Sequence, residues 1–350
     1  MKTAIGVRSD KSTKFLVMSA SFVIVVAGMK ASQSILVPFL LSVFIAIVSS
    51  PLLFWFRRKG LPMAVSLLFV IAIVLVIGLL IGVLIGTSLN DFSNSLPFYE
   101  ERLHEKTSAI LSLFEKIGIN FSDKILLDYV NPGLAMKLAS VILTGIGNVL
   151  SNALLILLTV IFILLEAATF PGKLNAAFGS SEHTGARFGD FLGRINRYMV
   201  IKTWMSLITG VLVAVLLAFL RVDYAVLWGL LAFMFNYVPN IGSIIAAVPA
   251  ILLAFIQLGP KIALIAAGGY IVFNLVVGNI IEPRFMGRGL GLSTLVVFLS
   301  LVFWGWVLGP VGMVLSIPLT MTLKIALESS EETKWAGALL GVAPLKKPED

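Results

Sequence analysis

Apolar segments recur from one end of this chain to the other, at residues 15–28, 35–55, 62–87, 141–165, 203–220, 224–258, 261–281 and 292–323. Most approach or exceed the roughly 20 residues with which a helix crosses the hydrocarbon core of a bilayer. Because they are spread along the whole length, they form a framework rather than one anchor on a soluble domain. Composition agrees, with 59% of residues hydrophobic and 13% charged, where soluble domains carry about a quarter charged. The expected fold is an all-α polytopic integral membrane protein.

Charge is distributed as a membrane would sort it. The formal net charge is +8, but the basic residues stand in short runs beside apolar segments, as the positive-inside rule requires. Nucleic acid is therefore not an expected partner. The chain has no cysteine, which excludes disulfides, thiolate metal sites and cysteine nucleophiles. Lys2, Arg8, Lys11 and Lys14 precede the first apolar segment, and Ala31-Ser32 imitates a signal-peptide cleavage site. A second apolar run begins at once, so a retained first transmembrane helix with a cytoplasmic N-terminus is expected.

Lys30 and Gln33 separate the first two segments as a tight helical hairpin, and Arg57, Arg58 and Lys59 place the next loop inside. The third segment holds Gly78, Gly82 and Gly86 at four-residue spacing, a face that admits close helix packing. Residues 88–140 break the apolar pattern with seven acidic and five basic residues, while Leu103, Ile110, Phe114 and Ile117 keep helical spacing. They read as an outward-facing helical insertion. Residues 167–202 turn basic through Lys173, Arg187, Arg194, Arg197 and Lys202, with Phe188, Phe191, Leu192, Ile195 and Met199 along one side. That pattern is a basic amphipathic helix on the cytoplasmic surface, near anionic lipid. Residues 326–350 form a cytoplasmic tail.

The last third carries two broken segments. Residues 224–258 would span roughly 52 Å as one helix, against a core of about 30 Å. The break falls at Asn236-Tyr237-Val238-Pro239-Asn240-Ile241-Gly242, since proline opposes helix continuation. Residues 292–323 repeat the design at Gly309-Pro310-Val311-Gly312, with Pro318 beyond it as Pro249 lies beyond the first break. Paired Gly/Pro-interrupted segments mark transporter binding sites. If both crossed twice, Arg284 and Arg288 would lie outside, against the positive-inside rule. The expectation is therefore about six full spans plus two re-entrant hairpins entering from opposite faces, with both termini cytoplasmic.

Three segments carry a resemblance: NYVPNIGSIIAAVP, GNIIEPRFMGRGLGLSTLVV and WGWVLGPVGMVLSIPLT. Together they resemble the signature of the autoinducer-2 exporter family, closest to its quorum-sensing signal transport branch, and the likeness covers roughly residues 12 to 330. The family pattern of prolines and glycines corresponds to Pro239 and Gly242, to Pro283 and Gly287, and to Gly309, Pro310, Gly312 and Pro318. Many relatives carry His-Pro or Ser-Pro after the Gly287 loop, where this chain has Ser293-Thr294. The resemblance implies export of autoinducer-2, a small hydroxylated signal, across the bacterial inner membrane. It also implies a homo-oligomer, in relatives a pentamer. Other members resemble cation/proton antiporters.

Hydrophilic groups within a bilayer are costly and often functional. Asn236, Asn240, Ser243, Asn274 and Asn279 offer donors and acceptors that suit a hydroxyl-rich ligand. With Pro239, Gly242, Gly309, Pro310 and Gly312 at the breaks, they are the expected pathway. Asparagines that satisfy each other or cap the broken helices are the structural alternative. Glu282, Pro283, Arg284, Gly287 and Arg288 form either an interfacial loop anchored by charge or a gating and coupling loop. Enzyme motifs are absent: His104-Glu105 lacks a second ligand at Ser108, and the glycines at 287–291 follow no strand. No cofactor and no bound metal are implied. The readings that remain are secondary export of a polar signal, a sodium or proton antiporter, and a membrane scaffold that carries nothing.

Overall fold

A computed structural model describes residues 11–116, 151–167, 173, 182–238, 241–286, 291–329 and 333–341. Helices joined by short connections make up the described residues, with no strand among them, as the all-α expectation requires. The helices are α1 Lys11–Ala31, α2 Gln33–Arg58, α3 Met63–Lys116, α4 Ala153–Ala167, α5 Glu182–Phe219, α6 Ala225–Phe235, α7 Ile241–Leu258 and α8 Pro260–Phe273. A π-helical stretch, Asn274–Ile281, extends α8 into the short α9 Glu282–Met286. Thr294–Glu328, here α10, and Lys334–Leu339, here α11, complete the order. Among the described residues, six helices are long and apolar enough to cross a membrane.

Local chemistry sets the turns. Gly60 ends α2 at φ 89°, and Gly259 separates α7 from α8 at φ 88° with Pro260 opening the new helix, where its fixed φ suits the first turn. Ser293 caps α10, its hydroxyl accepting from the Val296 amide at 3.3 Å. Between α5 and α6 the chain reverses through Arg221 and Tyr224, both left-handed at φ 60° and 58°.

Two expectations about continuity differ from the structure. The third apolar segment does not stop where the polar insertion begins: α3 runs unbroken for 54 residues, roughly 80 Å. The described part of the insertion is thus the far end of a spanning helix, and residues 117–140 lie outside the described residues. Likewise the basic stretch and the fifth span are one helix, α5, of 38 residues. Interior helical positions near Thr203 have no proline, so nothing there divides surface helix from span.

Both broken segments are closed hairpins. In the first, α6 is 11 residues long, roughly 16 Å and too short to cross. Its start and the end of α7 meet where the Asp223 amide donates to Gln257 Oε1 at 3.1 Å. In the second, α10 folds at Gly309, whose φ of 69° and ψ of −154° are not helical. Trp304 Nε1 donates across the fold to Thr320 Oγ1 at 2.9 Å, and Lys324 Nζ donates to the Gly291 carbonyl at 2.6 Å. A straight helix would hold Trp304 and Thr320 roughly 24 Å apart, so the arms run back along each other. The same device closes both tips. A Cβ at Gly242 would overlap the Phe235 carbonyl oxygen, and one at Gly312 would overlap the Trp304 carbonyl oxygen.

Helix α5 relates the hairpins. The first has its open end beyond Phe219, and its tip reaches back to Thr203 and Ser206. The open end of the second packs on the N-terminal side of that contact, where Leu292 and Met321 join Ile195, Tyr198 and Met199 in one cluster. The hairpins therefore enter the bundle from opposite ends.

Candidate transport pathway

Four polar residues share one face of α5 at successive turns: Tyr198, Lys202, Ser206 and Thr209, all buried. Buried polar groups without partners are costly; Thr209 finds one in its own helix, donating to the Met205 carbonyl at 2.9 Å, and others of the stripe are met from neighbouring elements. The tip of the first hairpin meets part of it. Asn236 Nδ2 donates to Ser206 Oγ at 3.0 Å, and the Tyr237 hydroxyl donates to Thr203 Oγ1 at 2.8 Å. Tyr237 is held edge-on by Phe44 of α2 and Phe233 of α6, with ring centroids 5.4 and 5.7 Å away.

One turn from Ser206 the stripe carries charge. Lys202 Nζ donates to both carboxylate oxygens of Glu282, at 2.7 and 2.9 Å. The side chains are 6% and 13% exposed. Glu282 arrives there because the π-helical stretch delivers α8 into the short α9 beside α5. Such a stretch widens the backbone by one residue per turn, and its kind clusters at functional sites. Asn274 begins it and is half-buried, with its Oδ1 facing the Cα of Gly278.

The remaining candidates separate. Gly242 is buried at the first tip and Ser243 is half-buried beside it, whereas Asn279, Pro283 and Arg284 are exposed. Gly309 and Pro310 form the second tip, whose neighbours are Gln33 near Gly309 and Lys30, 3.7 Å above the Trp306 ring. Gly312 is buried behind them. Pro239, Asn240, Gly287 and Arg288 lie outside the described residues. Thus Asn236 and Glu282 are brought to one face of α5, and the second tip has its own surroundings. Among the described residues the charge partner of Glu282 is Lys202 on α5, while Arg284 of its own loop is exposed.

Lys202, Ser206, Thr203 and Tyr237 were not marked as site residues by the sequence. A four-residue period of polar side chains inside a spanning helix was the available signal, obscured for Lys202 by the basic run before it. A second polar cluster lies at the open end of the first hairpin. The Tyr99 hydroxyl, from the extension of α3, donates to Asp223 Oδ2 at 2.9 Å, and Gln257 Nε2 also donates to that oxygen. Trp228 Nε1 donates to the Asp223 carbonyl at 3.0 Å. Burial pushes the Tyr99 hydroxyl far above the usual tyrosine range, with Tyr224 and Asp223 adding to the shift. The group therefore stays protonated as a donor. This clasp ties α3, beyond its apolar stretch, to the hairpin.

Similarity to known proteins extends over this whole arrangement. The chain is 42% identical to the AI-2 transport protein TqsA of Escherichia coli strain K12, over 91% of this chain and 92% of that protein. It is 45% identical to a relative from Haemophilus influenzae, over 92% and 94% of the two chains. It is 36% identical to YhhT of Escherichia coli, over 95% of each. The names of these last two speak of transport and give no cargo. The sequence profile of AI-2E family transporters matches residues 20–332, which include both hairpins and the α5 stripe, and the chain belongs to that family of multi-pass membrane transport proteins, which are not enzymes.

Proposed function

We propose that this protein is a secondary transporter that exports a small polar signal, autoinducer-2, across the bacterial inner membrane. The observation that carries this reading is the buried Asn236–Ser206 hydrogen bond where a broken hairpin meets the polar stripe of α5. Irregular backbone at membrane depth is tolerated only against protein or a water-filled cavity, and an amide beside hydroxyls offers both donors and acceptors to a hydroxylated ligand. The name of the TqsA relative supports the cargo.

The end of the bundle near Glu282 faces the cytoplasm in this reading. Arg57, Arg58 and Lys59 lie at the end of α3 opposite Tyr99 and Asp223, and the positive-inside rule assigns basic loops inward. Both termini are then cytoplasmic. The protein acts in the bilayer as a homo-oligomer, pentameric as the family resemblance implies, and binds no nucleic acid. Apolar side chains left exposed along α3, such as Leu75, Leu79 and Val83, meet lipid or a second copy.

Efflux of autoinducer-2 from sealed vesicles containing purified protein tests the proposal, with wild type beside Asn236→Ala and an imposed proton or sodium gradient varied. Signal movement that requires Asn236 supports it. Cation exchange without signal movement would make the protein an antiporter. If well-folded protein moves neither, it is a scaffold.

A further inference from the structure

We infer that the Lys202–Glu282 pair is the proton-coupling site of this transporter, a clasp between α5 and the π-helical stretch that opens when Glu282 takes up a proton. The inference rests on the transport reading and adds the residues and the driving ion.

The geometry asks for an explanation beyond anchoring. An ammonium bonded to both oxygens of one carboxylate, with both side chains nearly enclosed, is a pair whose members cannot part without leaving a charge in an apolar place. A proton on Glu282 removes that penalty from one side, because the acid is neutral and no longer holds the ammonium by charge. Facing Glu282 from α5 is Lys202, with the buried Tyr198 one turn away on the same face of that helix. Arg284, on the same short helix as Glu282, is exposed. The polar contacts of the carboxylate are both with Lys202, among the described residues. A sodium ion requires several oxygen ligands, and a single carboxylate bound by a lysine does not provide them. A proton requires one oxygen.

Two neighbours convert proton uptake into movement. The π-helical stretch Asn274–Ile281 ends directly at Glu282. Rewinding it by one residue to α geometry turns everything after it by about 100°, which carries the carboxyl away from Lys202. The ammonium keeps its protons and is left one turn from Ser206, whose hydroxyl accepts from Asn236 at the hairpin tip. Competition by Lys202 for that oxygen loosens the tip. One proton is gained by the carboxylate as the pair opens, none is lost by the lysine, and the carboxyl gives that proton up when the pair reforms.

Hydrogen exchange of the purified full-length protein in detergent tests this without relying on transport. Protection of residues 274–286, corrected for the intrinsic pH dependence of exchange, is compared at neutral pH and at a pH within the carboxylate range, and with sodium replaced by choline. Wild type is expected to lose protection about tenfold on acidification, with no response to sodium. Glu282→Gln is expected to show the low protection at both pH values, while the Asp223–Gln257 end of the hairpin exchanges as in wild type. A wild type indifferent to pH, a response to sodium, or a pH response that persists in Glu282→Gln overturns the proposal. Should Glu282→Gln lose protection at the Asp223–Gln257 end as well, the Lys202→Met/Glu282→Gln double variant, which removes both charges together, is measured. A pH response of residues 274–286 in that variant overturns the proposal, and its absence supports it. The efflux assay stands apart: pH-dependent opening without signal movement defeats the transport reading and leaves the clasp, whereas movement with indifferent exchange defeats the clasp alone.

Discussion

Lys202 and Glu282, 80 positions apart, meet as a buried ion pair with both carboxylate oxygens accepting from one ammonium, at 2.7 and 2.9 Å. Removing one partner of such a pair strands the other charge, at a cost of roughly 3–5 kcal/mol. Lys202→Met should therefore lower the thermal unfolding midpoint substantially, whereas Lys202→Met/Glu282→Leu should recover most of the loss. Unfolding of the purified variants in one detergent checks both; equal destabilisation by the single and double variants would show that packing, not charge, matters here.

Asn236 donates to Ser206 within the bundle. Asn236→Ala leaves the serine hydroxyl with a lost partner, a cost of about 1–3 kcal/mol. Stability should fall by that amount and signal efflux by about tenfold or more. Ser206→Ala should behave similarly in stability, and a double-mutant cycle between them should be non-additive. Additive effects would place the two side chains in separate roles.

Gly242 and Gly312 sit where a Cβ would overlap a carbonyl oxygen of the preceding arm. Alanine at either position must push backbone against backbone, and overpacking of this kind costs about 1–3 kcal/mol. Gly78 has open space within 4 Å, so Gly78→Ala should be neutral or stabilising by about 0.5–1 kcal/mol through helix propensity. Comparing the three variants by thermal unfolding separates hairpin closure from a general glycine effect.

Tyr99 anchors the polar extension of α3 to Asp223. Its hydroxyl holds its proton far into the alkaline range because of burial. The sign follows: with the folded value raised, the contribution is complete below about pH 10, the ordinary tyrosine value, and declines above it. Tyr99→Phe should remove that alkaline decline and cost about 1 kcal/mol at neutral pH. Stability measured across neutral and alkaline pH for both proteins decides this.

How much of this was readable beforehand follows from the kind of signal each feature leaves. The apolar runs, the glycines that close the hairpins and the prolines beside them act through local chemistry, so segment number, the breaks near residues 236 and 309, and the all-α architecture were legible in order along the chain. Helix ends were less so. The polar insertion did not end α3, and the basic run did not end before α5, because a change of solvent along a helix alters side chains without interrupting the backbone hydrogen bonds that sustain it. Partnership was not legible. Glu282 stands two residues from Arg284, yet its carboxylate is held by a lysine that the sequence places in a surface stretch. Tyr99 likewise is joined to Asp223 across 124 positions. Local sequence determines which groups are polar within an apolar helix, because that depends only on the residue and its neighbours. Which of them meet depends on how hairpins dock along α5, and only the tertiary structure decides that, since a buried charge takes the partner that packing brings within reach.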